Sequence, residues 1–233
     1  MNLKGAKALV TGGSEGIGYA LAEALVSKGA RVAVMARDRN RLQEAAERLG
    51  ALAVPGDVSQ EADAVRVVQS SIDSLGGLDI LVNNAGVGVF KPLVELDVEE
   101  FRSVFKTNVV GAMLMAREAA RQFVRQGSGN LVCISSTSGL KGGRGGTAYS
   151  GSKFALRGMT ECWRDELRRH NVRVLLVNPS EVQTSFFEKT GLVQEESPKK
   201  LRGKEIADAV IGALEIDDRG FIPELSVWAT NPY

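Results

Sequence analysis

Tyr149 and Lys153 stand four residues apart in a segment, Tyr149 to His170, whose apolar and polar residues recur at helical spacing. On a helix that separation puts both side chains on one face, so an ammonium can lie beside a phenol. At about 4 Å and an effective dielectric near 20, a unit cation favours the phenolate by roughly 4 kcal/mol before solvation losses. One pKa unit corresponds to about 1.4 kcal/mol, so a phenol that ordinarily ionises near 10 moves toward the working pH and becomes a usable general acid or base. A second pattern, Thr11-Gly12-Gly13-Ser14-Glu15-Gly16-Ile17-Gly18, follows a short apolar run and opens a helical one. Glycines there let the backbone turn tightly and approach a pyrophosphate, whose charge meets the N–H groups and positive end of the following helix. Taken singly, both patterns have plainer readings: a packed phenol near a solvated lysine, and a tight strand-to-helix connection.

These residues have to be positioned by the elements around them. Short apolar runs rich in β-branched residues recur at Lys7 to Thr11, Arg31 to Ala36, Ala51 to Pro55, Ile80 to Asn83, Gly129 to Ile134 and Val172 to Asn178, with a last strand near Phe221 to Pro223. Such runs suit strands buried on both faces of a parallel sheet. Between them lie helical patterns at Ile17 to Lys28, Arg39 to Leu49, Glu61 to Leu75, Glu99 to Gln126 and Tyr149 to His170, with a final one near Lys204 to Leu214. The alternation predicts right-handed βαβ units wound into one open sheet covered on both sides, a doubly wound three-layer α/β/α domain spanning residues 1–233. A stretch near 185–203 breaks the rhythm, mixing Phe186 and Phe187 with charges and Pro198, and reads as a binding loop. The apolar end, with Trp228 and Tyr233, suggests contact with another subunit.

Composition narrows the partners. With 233 residues there is chain enough for a single large core, and 29 Lys and Arg against 28 Asp and Glu leave a net charge of +1. No basic field gathers nucleic acid or an anionic membrane, so a small molecule is the expected partner. Cys133 and Cys162 both read as reduced core thiols, which fits a cytoplasmic setting. No apolar run is long enough to span a bilayer. His170 is the single histidine and the thiols are scattered, so no metal site is expected.

The spacing Gly12-x-x-x-Gly16-x-Gly18 resembles the short-chain dehydrogenase/reductase family, and an ordered series of further elements carries the resemblance from Gly12 to Thr184. Asp57-Val58 follows the third strand, Asn83-Asn84-Ala85-Gly86 closes the fourth, and Asn108 lies in Lys106-Thr107-Asn108-Val109. Ser135-Ser136 ends the fifth strand, with Ser136 thirteen residues before Tyr149 in Tyr149-Ser150-Gly151-Ser152-Lys153. After the sixth strand comes Asn178-Pro179-Ser180-Glu181-Val182-Gln183-Thr184, where the common pattern has glycine at the place of Ser180. The closest branch in pattern is the 3-oxoacyl-carrier-protein reductase-like ketoreductases.

The resemblance implies a Rossmann-type fold and hydride transfer between a nicotinamide and a carbonyl or secondary alcohol. By that likeness Tyr149 is the general acid/base, Ser136 hydrogen-bonds the reacting oxygen, Lys153 also holds the ribose hydroxyls, and Asn108 serves a water in the proton relay. Cofactor contacts are expected from Gly12, Ser14, Gly16, Ile17, Gly18, Asp57, Val58, Asn84, Ala85, Gly86, Tyr149, Lys153, Pro179, Val182 and Thr184. After the second strand, Ala36 stands where an NAD-selective relative often carries an acid, and Arg37 follows; a guanidinium there can fork onto a 2′-phosphate, so NADP(H) is favoured over NAD(H). A homodimer or homotetramer is implied as well. Two other classes share parts of the pattern: a dinucleotide-binding sensor or scaffold without turnover, and sugar-nucleotide epimerases or dehydratases. The first is disfavoured by the intact Ser136, Tyr149 and Lys153, the second by the small C-terminal region.

Overall fold

Strands that are apolar on both sides of the pleat must be covered on both faces, and the molecule satisfies this with one parallel sheet between two helical layers. The computed structural model describes residues 1–186, 190 and 197–231. Its strands are β1 (Lys7–Thr11), β2 (Arg31–Met35), β3 (Leu52–Ala53), β4 (Ile80–Asn83), β5 (Gly129–Ile134), β6 (Val172–Pro179) and β7 (Glu224–Val227). The α-helices are α1 (Gly16–Ser27), α2 (Arg39–Leu49), α3 (Glu61–Leu75), α4 (Val98–Phe105), α5 (Ala112–Gln126), α6 (Thr147–Leu167) and α7 (Gly203–Glu215). Across the sheet the order is β3-β2-β1-β4-β5-β6-β7, and each pairing is parallel. The winding reverses between β1 and β4, so a crevice opens beyond the carboxyl ends of those two strands.

Strand alternation sorts the core into two layers. Ala8 and Val10 of β1 pack with Leu21 and Leu25 of α1 and Ile206 and Val210 of α7. Leu9, between them, packs on the opposite face with Val67 of α3, Met115 and Phe123 of α5 and Leu156 of α6. The same alternation recurs in β5, where Val132 and Ile134 join the first layer and Leu131 and Cys133 the second.

Several elements differ from the sequence expectation for identifiable reasons. The segment expected as one helix from Glu99 to Gln126 contains a π-helical stretch, Lys106–Gly111, between α4 and α5; such bulges tend to occur at functional positions. The third strand shrinks to Leu52–Ala53, yet its chain keeps following β2, with Val54 N–H donating to Val34 O and Gly56 N–H to Ala36 O. Pro55 between them has no N–H to give. The last strand is Glu224–Val227, not Phe221 to Pro223. Pro223 serves as an acceptor at its edge, taking bonds from Leu176 N–H and the Arg164 guanidinium. Cys133 is buried as expected, but Cys162 is exposed. The buried stripe of α6 runs through Ala148, Ser152, Leu156 and Thr160, and Cys162 lies about 200° around the helix from Thr160 at 3.6 residues per turn. Residues 187–189 and 191–196 of the stretch near 185–203, Phe187 among them, and the terminal Pro232 and Tyr233 lie outside the described residues. Among those described, no helix is long and apolar enough to cross a membrane, and no cluster of three potential metal ligands occurs.

Candidate active site

The floor of the crevice is a stitched seam. Thr11, the last residue of β1, accepts through Oγ1 from the N–H groups of Asn84 and Ala85, both at 3.0 Å. Asn84 returns the contact, its amide donating to Thr11 O at 2.9 Å and Gly12 O at 3.3 Å. The glycine turn thus hangs from the end of β4. It turns with positive φ at Gly12 (65°) and Gly16 (58°), where a side chain would be strained. Gly18 is required differently: a Cβ there would run into the Gly12 carbonyl oxygen, so the first turn of α1 lies directly on the loop.

Across the crevice, α6 delivers the proposed chemistry. Tyr149 is half-buried, and Ser136, whose hydroxyl reaches it, follows β5 as the cap of a short 3-10 turn. Burial pushes the Tyr149 phenol up to about 12, while the Ser136 hydroxyl acts in the opposite direction. Lys153 is buried and donates to Ile134 O at 2.9 Å, with its Nζ 5.7 Å from the centre of the Tyr149 ring. Burial pulls its ammonium down to about 8. The expectation that the lysine lowers the phenol therefore does not describe the protein by itself. Desolvation by burial outweighs the hydrogen bond from Ser136, and the ammonium is turned onto Ile134 O. At neutral pH the phenol carries its proton, the form a proton donor needs.

Asn108 sits in the π-helical stretch, 2% exposed, with its side chain fully engaged. Its Oδ1 accepts from Val87 N–H at 2.8 Å, and its Nδ2 donates to Val87 O and to Ser152 Oγ, each at 2.9 Å. It clamps the loop after β4 to α6 one turn from Tyr149, and so explains why the helix is distorted there.

Two cavities share the crevice. One of about 700 Å³ is lined by Gly12, Gly16, Ile17, Asn84, Ala85, Gly86, Ser136, Tyr149, Lys153, Pro179, Val182 and Thr184. The other, about 370 Å³, is lined by Gly12, Ser14, Arg37, Asp57, Val58, Ala85 and Gly86 together with Glu15, Asp38 and Arg41. They meet at Gly12, Glu15, Ala85 and Gly86. An elongated dinucleotide fits this pair of spaces. Bare backbone at Gly12 and Gly16 faces the first, and the glycine turn leads into the N-terminus of α1, where phosphate charge is favoured. All the residues expected at the site reach one cavity or the other except Gly18, which packs beneath the turn, and Asn108, which stands behind Tyr149. Ser180 requires no special backbone: among the described residues the only non-glycine with positive φ is Asn171. Its N–H extends the sheet by donating to Val227 O at 2.9 Å.

Some participants were not singled out by spacing. Phe90 and Phe186 flank Tyr149, with ring centres 5.1 and 5.5 Å away and planes tilted by 48° and 51°. Glu15 accepts from Arg41 Nη1 at 3.0 Å and from Ser185 Oγ at 2.7 Å, joining the glycine turn to α2 and to the chain after β6. Only the meeting of distant segments creates these contacts. Thr11 did carry a signal, as a hydroxyl residue at the strand end before the glycines.

A sequence profile of the family described as short chain dehydrogenase matches residues 6–194. An uncharacterized oxidoreductase of Staphylococcus aureus is 31% identical over 223 residues, covering 94% of this chain and 95% of the relative. Among solved structures, the alcohol dehydrogenase from the archaeon Thermococcus sibiricus complexed with 5-hydroxy-NADP superimposes with a TM-score of 0.87, at 29% identity and 96% coverage of both chains. The 3-ketoacyl-(acyl-carrier-protein) reductase from Brucella melitensis complexed with NADH gives 0.91 at 26% identity and 98% coverage of both.

Proposed function

The chain belongs to the short chain dehydrogenase family, and from that premise we propose that it is an NADP(H)-dependent oxidoreductase interconverting a carbonyl and a secondary alcohol, with Tyr149 as the general acid/base. The observation that carries this is the convergence of Ser136, Tyr149 and Lys153 on the wall of the same cavity whose floor is the glycine turn. A nicotinamide held there supplies the hydride in reduction and accepts it in oxidation. In reduction the Tyr149 phenol gives its proton to the carbonyl oxygen as a C–H bond forms at the carbon and the C=O π bond breaks. Ser136 donates a hydrogen bond to the same oxygen, where negative charge grows in the transition state. Lys153, behind the phenol, stabilises the phenolate left after proton transfer and holds the ribose hydroxyls. Asn108 serves a water in the proton relay, and its bond to Ser152 Oγ also ties it to α6 beside Tyr149 and Lys153.

For the cofactor, solved relatives with an NADP derivative and with NADH do not discriminate. The preference for NADP(H) rests on Arg37, exposed at the rim of the smaller cavity. The cap of α2 is Asp38, whose carboxylate accepts from Arg41 N–H at 3.1 Å, so Arg37 is not needed to start the helix. Glu15, an acid near the same place, is paired with Arg41. The same proposal includes a homodimer or homotetramer in the cytoplasm. It is supported by apolar side chains left outward on the α5 and α6 side (Val110, Val124 and Phe154) and by two thiols free of any disulfide; light scattering showing only monomer would count against the assembly. The catalytic reading is tested by following NADPH oxidation over a panel of ketones with wild type and Tyr149→Phe. Loss of turnover with retained NADPH binding supports it, and equal rates refute it.

A further inference from the structure

We infer that the carbonyl substrate carries a flat aromatic or conjugated ring beside the reacting carbon, and that Phe90 and Phe186 form its clamp. This rests on the reading above that Tyr149 protonates a carbonyl oxygen. Phe90 comes from the loop after β4 and Phe186 from the chain after β6, and both line the larger cavity with Tyr149. Both are half-buried, so each ring offers surface to that space. Their tilts of 48° and 51° to the Tyr149 ring are the herringbone arrangement that aromatic groups prefer to a face-to-face stack. The phenyls converge because position 88 is glycine: a Cβ there would come within 2.8 Å of Phe186 and 3.0 Å of Phe90.

Charge around them points the same way. Glu181 and Lys200, which also reach the cavity, form an ion pair of 2.8 Å with each other, and Glu15 is paired with Arg41. A substrate anion drawn to Lys200 or Arg41 would have to displace the carboxylate already there, and the Lys153 ammonium, also on the cavity wall, is turned onto Ile134 O. An uncharged ring meets three aromatic edges and faces without that cost. Ring, carbonyl and phenol are then held in one place, so that the proton from Tyr149 and the hydride from NADPH convert an aryl ketone to the benzylic secondary alcohol and NADP+.

The test compares kcat/KM for phenyl methyl ketone and cyclohexyl methyl ketone, similar in size but different in flatness, with saturating NADPH. Wild type, Phe90→Leu and Phe186→Leu are measured, with a linear methyl ketone as a third substrate. Intrinsic differences in ketone reactivity cancel when the phenyl-to-cyclohexyl ratio is compared between enzymes. We expect each replacement to lower that ratio about two- to tenfold, the worth of an aromatic contact beyond its area. An unchanged ratio in both variants, with ketones still reduced in a Tyr149-dependent way, overturns the clamp and leaves the oxidoreductase assignment standing. No Tyr149-dependent reduction of any of the three removes the assignment, and the clamp with it.

Discussion

Around Tyr149 the polar side chains are buried or half-buried and hydrogen-bonded to the fold, whereas around Arg37 they stand at a rim in water. Lys153 is tied to the end of β5, Asn108 to the loop after β4 and to Ser152, and Ser136 to its own turn. At the other end Arg37 makes no ion pair among the described residues, and Glu15 and Arg41 form a pair that is about one-third and one-half exposed. Buried groups hydrogen-bonded to fixed partners have few arrangements, and their misplacement leaves an unpaired polar atom in low dielectric. Exposed charges can be exchanged at little cost to the fold. The contrast fits the proposal made above, with chemistry at the inner end of the cleft and cofactor choice at the outer one.

The largest effect that would break this contrast is at the inner end. Tyr149→Phe keeps the ring and its contacts with Phe90 and Phe186 but removes the proton donor, and turnover should fall about a hundred- to ten-thousand-fold. Single-turnover hydride transfer and NADPH fluorescence titration check it, and retention of more than about a tenth of the rate is incompatible with a general acid. At the outer end, Arg37→Ala should narrow the preference for NADPH over NADH by about tenfold, with binding of NADH barely changed. If wild type binds both cofactors equally, the outer end does not select as described. Glu15→Gln sharpens the same point with a smaller effect in the opposite direction, widening the preference by roughly threefold as Arg41 is released from a surface ion pair.

The smallest expected effect is on stability. Lys153 in the folded protein ionises at about 8, below its unfolded value of 10.5. Between those values the unfolded chain binds more protons, so this residue's contribution to stability rises with pH from about 8 toward 10. Above pH 10 the raised Tyr149 phenol works against it, since stability is then lost as pH climbs toward about 12. The melting temperature of cofactor-free wild type, measured against Lys153→Met, should therefore gain between pH 8 and 10. A gap that stays flat or shrinks across that window contradicts the buried ammonium.

The doubly wound sheet was readable because its signals are local: β-branched runs between helical periods, with a glycine turn where the first strand meets α1. The pairing of Tyr149 with Lys153 was readable for the same reason, since four residues along one helix face carry the geometry, whereas Ser136 entered only through the family resemblance. The π-helical stretch was not, because periodicity cannot register one extra residue in a turn; the cause lies in Asn108 reaching Val87, which is far away in sequence. Phe186 was read only as part of a loop, and nothing in its loop or in that of Phe90 foretells that the two meet beside Tyr149. The start of β7 at Glu224 is set by β6, where Leu176 pairs with Glu224 and donates its N–H to Pro223 O, again a tertiary matter.

Glu15 gives the engineer of this enzyme a warning. Its carboxylate is shared between Arg41 on α2 and Ser185 on the chain after β6, through the same oxygen, Oε2. Recoding that position to change which nicotinamide is accepted also loosens the anchor of the segment that carries Phe186. If the proposed roles of Arg37 and Phe186 hold, a selection for altered cofactor use that recruits Glu15 drags substrate scope with it, whereas Arg37, with no such second tie, lets the two traits be evolved apart.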